Sequence, residues 1–189
     1  MSKGINIAEN VQIINNSFSI NRKPVVFLSH KSEDKDFVES IGKYLMNAGI
    51  DIYLDKNDFK LQRAVADEDA EKITECIHKG ISKSDYILCF VSSKTVNSWW
   101  VPYEIGYGKK SGKEISTLVK QDVAYIPDFL KIEEIIDSID DINLYIKKIT
   151  SNYQMPLSEQ YWFNTDVEKE HITKPDKYHV LSKYLKFNE

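Results

Sequence analysis

Apolar residues in this chain follow two rhythms that alternate along its length. The run 25–28 (Val-Val-Phe-Leu) is continuously apolar, as in a strand buried on both faces, and a polar loop over 29–34 follows it. From 35 to 48, Phe37, Val38, Ile41, Tyr44, Leu45 and Ala48 recur at helical spacing, and Gly49 stands where a helix stops. Ser32 and Asp34 are the candidate caps of that helix. Positions 50–54 alternate and predict a second strand. A charged loop runs from Asp55 to about Ala66. A helix over 67–80 follows, with Ala70, Ile73 and Ile77 on one face and Gly80 as its stop. The run 86–92 predicts a third strand, 99–111 a helix ended by Gly112, and 114–119 a fourth strand. The stretch 126–132 reads equally as a short helix or a fifth strand. The span 137–149 is an amphipathic helix carrying Ile139, Ile142, Tyr145, Ile146 and Ile149.

Strands alternating with helices of this length imply βαβ units, hence a parallel sheet with right-handed crossovers. Two flanks differ in character. Residues 1–23 are polar and Asn-rich and read as an arm with room for one weak edge strand. Residues 151–189 are rich in aromatics (Tyr153, Tyr161, Trp162, Phe163, Tyr178, Tyr184, Phe187) and in charge. So many rings predict an extension that packs on the domain or on a partner, with 178–187 as a last helix.

Trp100 and Glu104 stand four residues apart on the helix that follows the third strand, so they share one face. That helix starts at the C-terminal edge of a parallel sheet, where such folds hold ligands. An acid there is either a structural ion-pair partner or a functional group. Composition narrows the classes. The 189 residues are 42% hydrophobic and 29% charged, ordinary for one soluble domain with extensions. A net charge of -4 argues against a protein that grips nucleic acid through phosphates. No apolar run is long enough to span a membrane, and the first residues lack the apolar stretch of a signal peptide. Cys76 and Cys89 read as reduced, buried small residues, and the expected location is cytoplasmic.

Four segments together resemble the Toll/interleukin-1 receptor (TIR) domain in its bacterial, standalone form, of the kind found in NAD-dependent, Thoeris-like anti-phage defence. They are 25–34 (Val-Val-Phe-Leu-Ser-His-Lys-Ser-Glu-Asp), 49–55 (Gly-Ile-Asp-Ile-Tyr-Leu-Asp), 81–93, and 97–104 (Asn-Ser-Trp-Trp-Val-Pro-Tyr-Glu), which resembles the family's Ser-x-Trp-x-x-x-Glu motif. The resemblance covers 24–150 and leaves 151–189 outside. The loop 56–66 departs from the family in having no Gly. The fold implied is α/β: a flavodoxin-like three-layer sandwich with a central, mainly parallel sheet of about five strands flanked by helices.

The resemblance implies NAD+ cleavage at the nicotinamide–ribose bond, with Glu104 as the catalytic acid, or homotypic assembly. The leaving nicotinamide departs neutral from a cationic pyridinium, so no general acid is needed, unlike an ordinary glycoside. One carboxylate suffices to hold the ribose and stabilise the positive charge developing on it. Trp99, Trp100 and Tyr103 are candidate walls for the nicotinamide; the alternative for the tryptophans is core packing. Ser29, His30 and Lys31 follow the first strand and reach the same edge, where Lys31 or backbone amides suit a pyrophosphate. Asp55, Phe59 and Ser92 are the further candidate contacts; the alternative is a turn or helix-cap role for Asp55, a turn role for Ser92, and an assembly contact for Phe59.

NAD+ is expected as substrate, with no cofactor and no metal. The expected partners are further copies of the chain, through TIR–TIR contacts, and a separate effector protein responding to the product. His171 and His179 are too far apart for helical metal ligands, and 106–113 (Gly-Tyr-Gly-Lys-Lys-Ser-Gly-Lys) matches neither phosphate-loop pattern. Two other readings compete with an NAD+ glycohydrolase or ADP-ribosyl cyclase making an immune signal. One is a non-catalytic scaffold; the other is a nucleoside deoxyribosyltransferase-like enzyme, which also sets a glutamate against a ribose.

Overall fold

The computed structural model describes residues 3–9, 22–54, 66, 67, 69–153 and 179–187. Among the described residues, five strands and five α-helices follow one another: β1 (Val25–Ser29), α1 (Lys35–Asn47), β2 (Asp51–Tyr53), α2 (Ala70–Lys83), β3 (Tyr86–Val91), α3 (Trp100–Lys110), β4 (Glu114–Val119), α4 (Asp128–Lys131), β5 (Glu134–Ile136) and α5 (Ile139–Ser151). The strands form one sheet in the order β2-β1-β3-β4-β5, every neighbouring pair parallel. The chain leaves β1 in one direction to make β2 and then returns past it to make β3. The order therefore reverses between β1 and β3, and the crevice at the C-terminal ends of these strands is the fold's natural ligand position.

Apolar residues on both sides of each strand explain the three layers. Val26 and Leu28 of β1 face one core, built with α1 and α5; Phe27 faces the other, built with α2 and α3. β3 divides likewise, Leu88 and Phe90 against Ile87, Cys89 and Val91. The alternation is invisible in composition because both faces are apolar.

Local chemistry sets the helix ends. Asp69 accepts the Lys72 amide at 3.1 Å to start α2, and Ser138 accepts the Asp141 amide at 3.1 Å to start α5. Gly49 and Gly112, at φ 81° and 71°, close α1 and α3 in the left-handed region that other residues avoid. Neither candidate cap of α1 acts through its side chain. Asp34 instead crosses to Ser92. Gly80 does not stop α2, which continues to Lys83. A Cβ there would come within 2.6 Å of the Tyr53 ring and 2.8 Å of Phe27. The residue is glycine because the helix packs directly on two rings, which periodicity along one segment does not reveal.

The remaining differences lie at the margins. β2 is shorter than 50–54 and does not alternate, since Ile52 and Tyr53 are both buried. The ambiguous stretch 126–132 holds the short helix α4, and β5 comes just after it. The arm supplies a parallel bridge, Asn6 beside Ile52, with the Ile7 amide donating to the Ile52 carbonyl and the Ile52 amide to the Ile5 carbonyl, both at 2.9 Å. That pairing covers the open edge of β2. Residues 179–187 form turns and a bridge in place of the expected helix. Lys186 pairs with Ser138, and Leu181, Tyr184 and Leu185 are buried in the α1/α5 core. Burial of each leucine stabilises by about 2 kcal/mol, and pairing with a distant residue outweighs local helix formation. Tyr161, Trp162, Phe163, Tyr178 and His171 lie outside the described residues. Among the described residues, no helix is long and apolar enough to cross a membrane.

Candidate active site at the switch point

Ser29 is the last residue of β1, and its side chain falls on the α2/α3 side of the sheet, two positions beyond Phe27. Glu104 is one turn into α3, which packs on that same face. The Ser29 hydroxyl donates to Glu104 Oε2 at 2.6 Å, with both residues buried at 1% and 5% exposure. Cys89 stands opposite Ser29 in the β1–β3 register. Burial, and then the Glu104 charge, push its thiol up far enough to remain neutral, while the Ser29 hydroxyl opposes that shift. The acid therefore sits in a nearly water-free position, where a charge interacts strongly with any charge that develops beside it.

A second acid–serine pair lies on the opposite face. Ser92, just after β3, donates to Asp34 Oδ2 at 2.6 Å, and both are buried. Its hydroxyl also accepts the Lys94 amide at 3.1 Å, and its own amide donates to Thr95 Oγ1 at 2.9 Å. The loops after β1 and β3 are laced further at the surface. Lys31 Nζ donates to the Asn97 carbonyl at 3.0 Å, and Lys94 Nζ to the Glu33 carbonyl at 2.8 Å. His30 Nδ1–H donates to the Leu28 carbonyl at 2.9 Å, and its ring meets the edge of Phe90.

The first turn of α3 projects past the sheet. Ser98 accepts the Val101 amide at 3.2 Å there. Trp99 is 91% exposed, and Trp100 and Tyr103 are both 39% exposed. Core packing, the alternative for the tryptophans, is not what they do. Trp100 and Glu104 are one turn apart on a helix that enters the fold from its edge, so spacing puts them on one side and depth separates them. Trp100 meets Tyr103 edge to face, with ring centroids 6.0 Å apart. Tyr103 in turn bonds His78 Nε2 of α2 through its hydroxyl at 2.7 Å, and His78 stacks on Tyr107 with centroids 3.8 Å apart.

A TIR domain family model matches residues 26–145 of this chain. The chain belongs to the TIR domain family. It is 25% identical over 166 residues to the NAD(+) hydrolase TirS of Staphylococcus aureus, a match covering 84% of this chain and 53% of that protein. The chain thus spans about half the length of this curated relative. Among solved structures it is similar to the TIR domain of the Toll-related receptor TRR-2 from Hydra magnipapillata. The TM-score is 0.53 and the identity 15%, over 69% of this chain and 98% of the other. That likeness is one of fold.

In this TIR domain, Ser29, His30, Lys31 and Ser92 do stand together at the β1/β3 crevice with Glu104 on its α3 side, but each has a protein partner already. Trp99, Trp100 and Tyr103 form an exposed aromatic rim at the start of α3, the helix that carries Glu104. Asp55 and Phe59 lie outside the described residues. Sequence reasoning missed His78, Tyr107 and the Asp34 carboxylate as parts of this region. Tyr103 and Tyr107, spaced i and i+4, were a visible signal of an aromatic stripe, but its partner His78 lies on another helix and only packing brings it there.

Proposed function

We propose that this chain cleaves NAD+ at the bond between nicotinamide and ribose, with Glu104 stabilising the cation that develops on the sugar. The observation that carries the reading is the Glu104 carboxylate, buried at the switch-point edge and held by Ser29. Membership of the TIR family and similarity to a protein named NAD(+) hydrolase support it. The chemistry fits one acid. Nicotinamide leaves without protonation, so the remaining demand is charge stabilisation, which a carboxylate shielded from water meets well. Trp100 and Tyr103 supply ring faces for the base. The 29–31 loop supplies backbone amides and Lys31 for the pyrophosphate, Asp55 and Phe59 complete the contacts, and Ser92, bonded to Asp34, braces the loops around them.

The finer parts of the reading go further. The ADP-ribose moiety leaves free, cyclised or transferred, and serves as a signal in cytoplasmic immune defence, read by a separate effector. Turnover is favoured when copies of the chain assemble. The test is NAD+ consumption by concentrated protein, wild type beside Glu104→Gln, with products separated by chromatography and mass spectrometry. Nicotinamide release that drops at least about 1,000-fold in Glu104→Gln is the expected result. Equal release by both would remove Glu104 from the chemistry. The mass of the second product identifies its form.

A non-catalytic assembly module is the competing reading, and the 91% exposure of Trp99 favours it. It requires that Trp99→Ala shrink the oligomer seen by light scattering while NAD+ stays intact with every variant.

A further inference from the structure

We propose that Ser29 is a positioning residue for Glu104: its buried hydroxyl holds the carboxylate in one orientation, poised for the sugar, and does not itself contact substrate. This rests on the NAD+-cleaving reading above. Three observations point to it. The Ser29 hydroxyl donates to Glu104 Oε2 at 2.6 Å, the length of a charge-assisted O–H···O⁻ bond. Ser29 is 1% exposed, so its hydroxyl is turned into the α2/α3 side of the fold. It is also fixed at both ends, since its backbone is the last rung of β1 and is registered on Cys89 of β3.

A glutamate has three side-chain torsions, and an acid on a helix reaches the crevice in several rotamers. A donor on the neighbouring strand selects one of them. Fixing the group before substrate arrives lowers the reorganisation needed in the transition state. Cys89, directly opposite, is held as the neutral thiol and brings no competing charge to the pair.

A contact to substrate would act on binding, whereas a positioning residue acts on turnover. Ser29→Ala removes one oxygen from a packed position, and its melting curve checks the fold. The expected result is a kcat lowered about 10- to 100-fold with KM within about threefold of wild type. An activity-independent reading accompanies it. The Glu104 carboxyl carbon resonance, assigned by its loss in Glu104→Gln, moves in Ser29→Ala because a hydrogen bond is gone. Should the alanine chain not fold, Ser29→Cys under reducing conditions keeps the shape with a far weaker donor and lowers kcat in the same direction.

An unchanged kcat, or an unmoved resonance, overturns the proposal. A loss confined to KM also overturns it and returns Ser29 to the substrate contacts. Equal NAD+ consumption by wild type and Glu104→Gln is a separate failure. It removes the parent reading, and this one with it, without reference to any Ser29 variant.

Discussion

Two serine–carboxylate pairs brace the same crevice from opposite faces of the sheet, and they are built differently. In one, Ser29 at the end of β1 meets Glu104, which comes from the helix after β3. In the other, Ser92 just after β3 meets Asp34, which comes from the loop after β1. Each strand end thus holds an acid delivered by the other strand's connection. The surroundings separate the two. Ser92 and Asp34 sit inside a knot of backbone bonds, with the Lys94 amide on the serine oxygen and Thr95 Oγ1 bonded to both the Ser92 amide and the Phe90 carbonyl. Glu104 is carried by a helix whose first turn exposes Trp100 and Tyr103 in edge-to-face contact. One pair ties two loops together; the other presents a charge at an edge lined with aromatic surface. The motif is shared; on the proposed reading, the groups around each acid make one an anchor and the other the reactive group.

Replacing each acid in turn is the sharpest way to break the comparison. Glu104→Gln is expected to lower NAD+ turnover at least about 1,000-fold while shifting the melting temperature little. Asp34→Asn is expected to keep turnover per folded molecule within about tenfold, as suits an acid that acts through loop geometry. Equal losses from the two would erase the distinction. Stability should rank them the other way. Asp34→Ala leaves the buried Ser92 hydroxyl without its acceptor, and urea unfolding should record a loss of about 2 kcal/mol. A smaller loss than that from Glu104→Gln would mean the Ser92 pair is not the structural one.

The smallest effect concerns the rim. His78 stacks on Tyr107 and bonds the Tyr103 hydroxyl, so His78→Ala frees the Tyr103 ring, which on the proposed reading meets the base. KM for NAD+ should rise about 3- to 10-fold with kcat held, because uniform binding is what is lost. A change in kcat alone would place the rim in the chemical step.

Much of the frame was readable from local pattern. β4 spans the expected 114–119, and Gly49 and Gly112 end the helices they were expected to end. The acid at 104 was singled out by its spacing from Trp100 and by the strand before it. Where local reading failed, a distant residue had intervened. Gly80 looked like a helix stop, but it is a contact point for Tyr53 and Phe27 from two strands. The segment 179–187 looked helical, but its backbone pairs with Ser138 and its leucines enter a core made by α1 and α5. Asp34 looked like a cap, but its carboxylate bonds Ser92, which is 58 residues away.

The sequence by itself determined the succession of strands and helices, the parallel sheet that this succession requires, and the presence of an acid at the edge where β3 hands over to a helix. These follow from period, punctuation and chain connectivity, each of which is written within a few neighbouring residues. Tertiary structure decided which serine faces which acid, that both tryptophans point outward, and that His78 joins the tyrosine stripe. Those outcomes depend on strand order and on the depth at which each helix crosses the sheet. They are set by the packing of two cores, which no single stretch of the chain encodes.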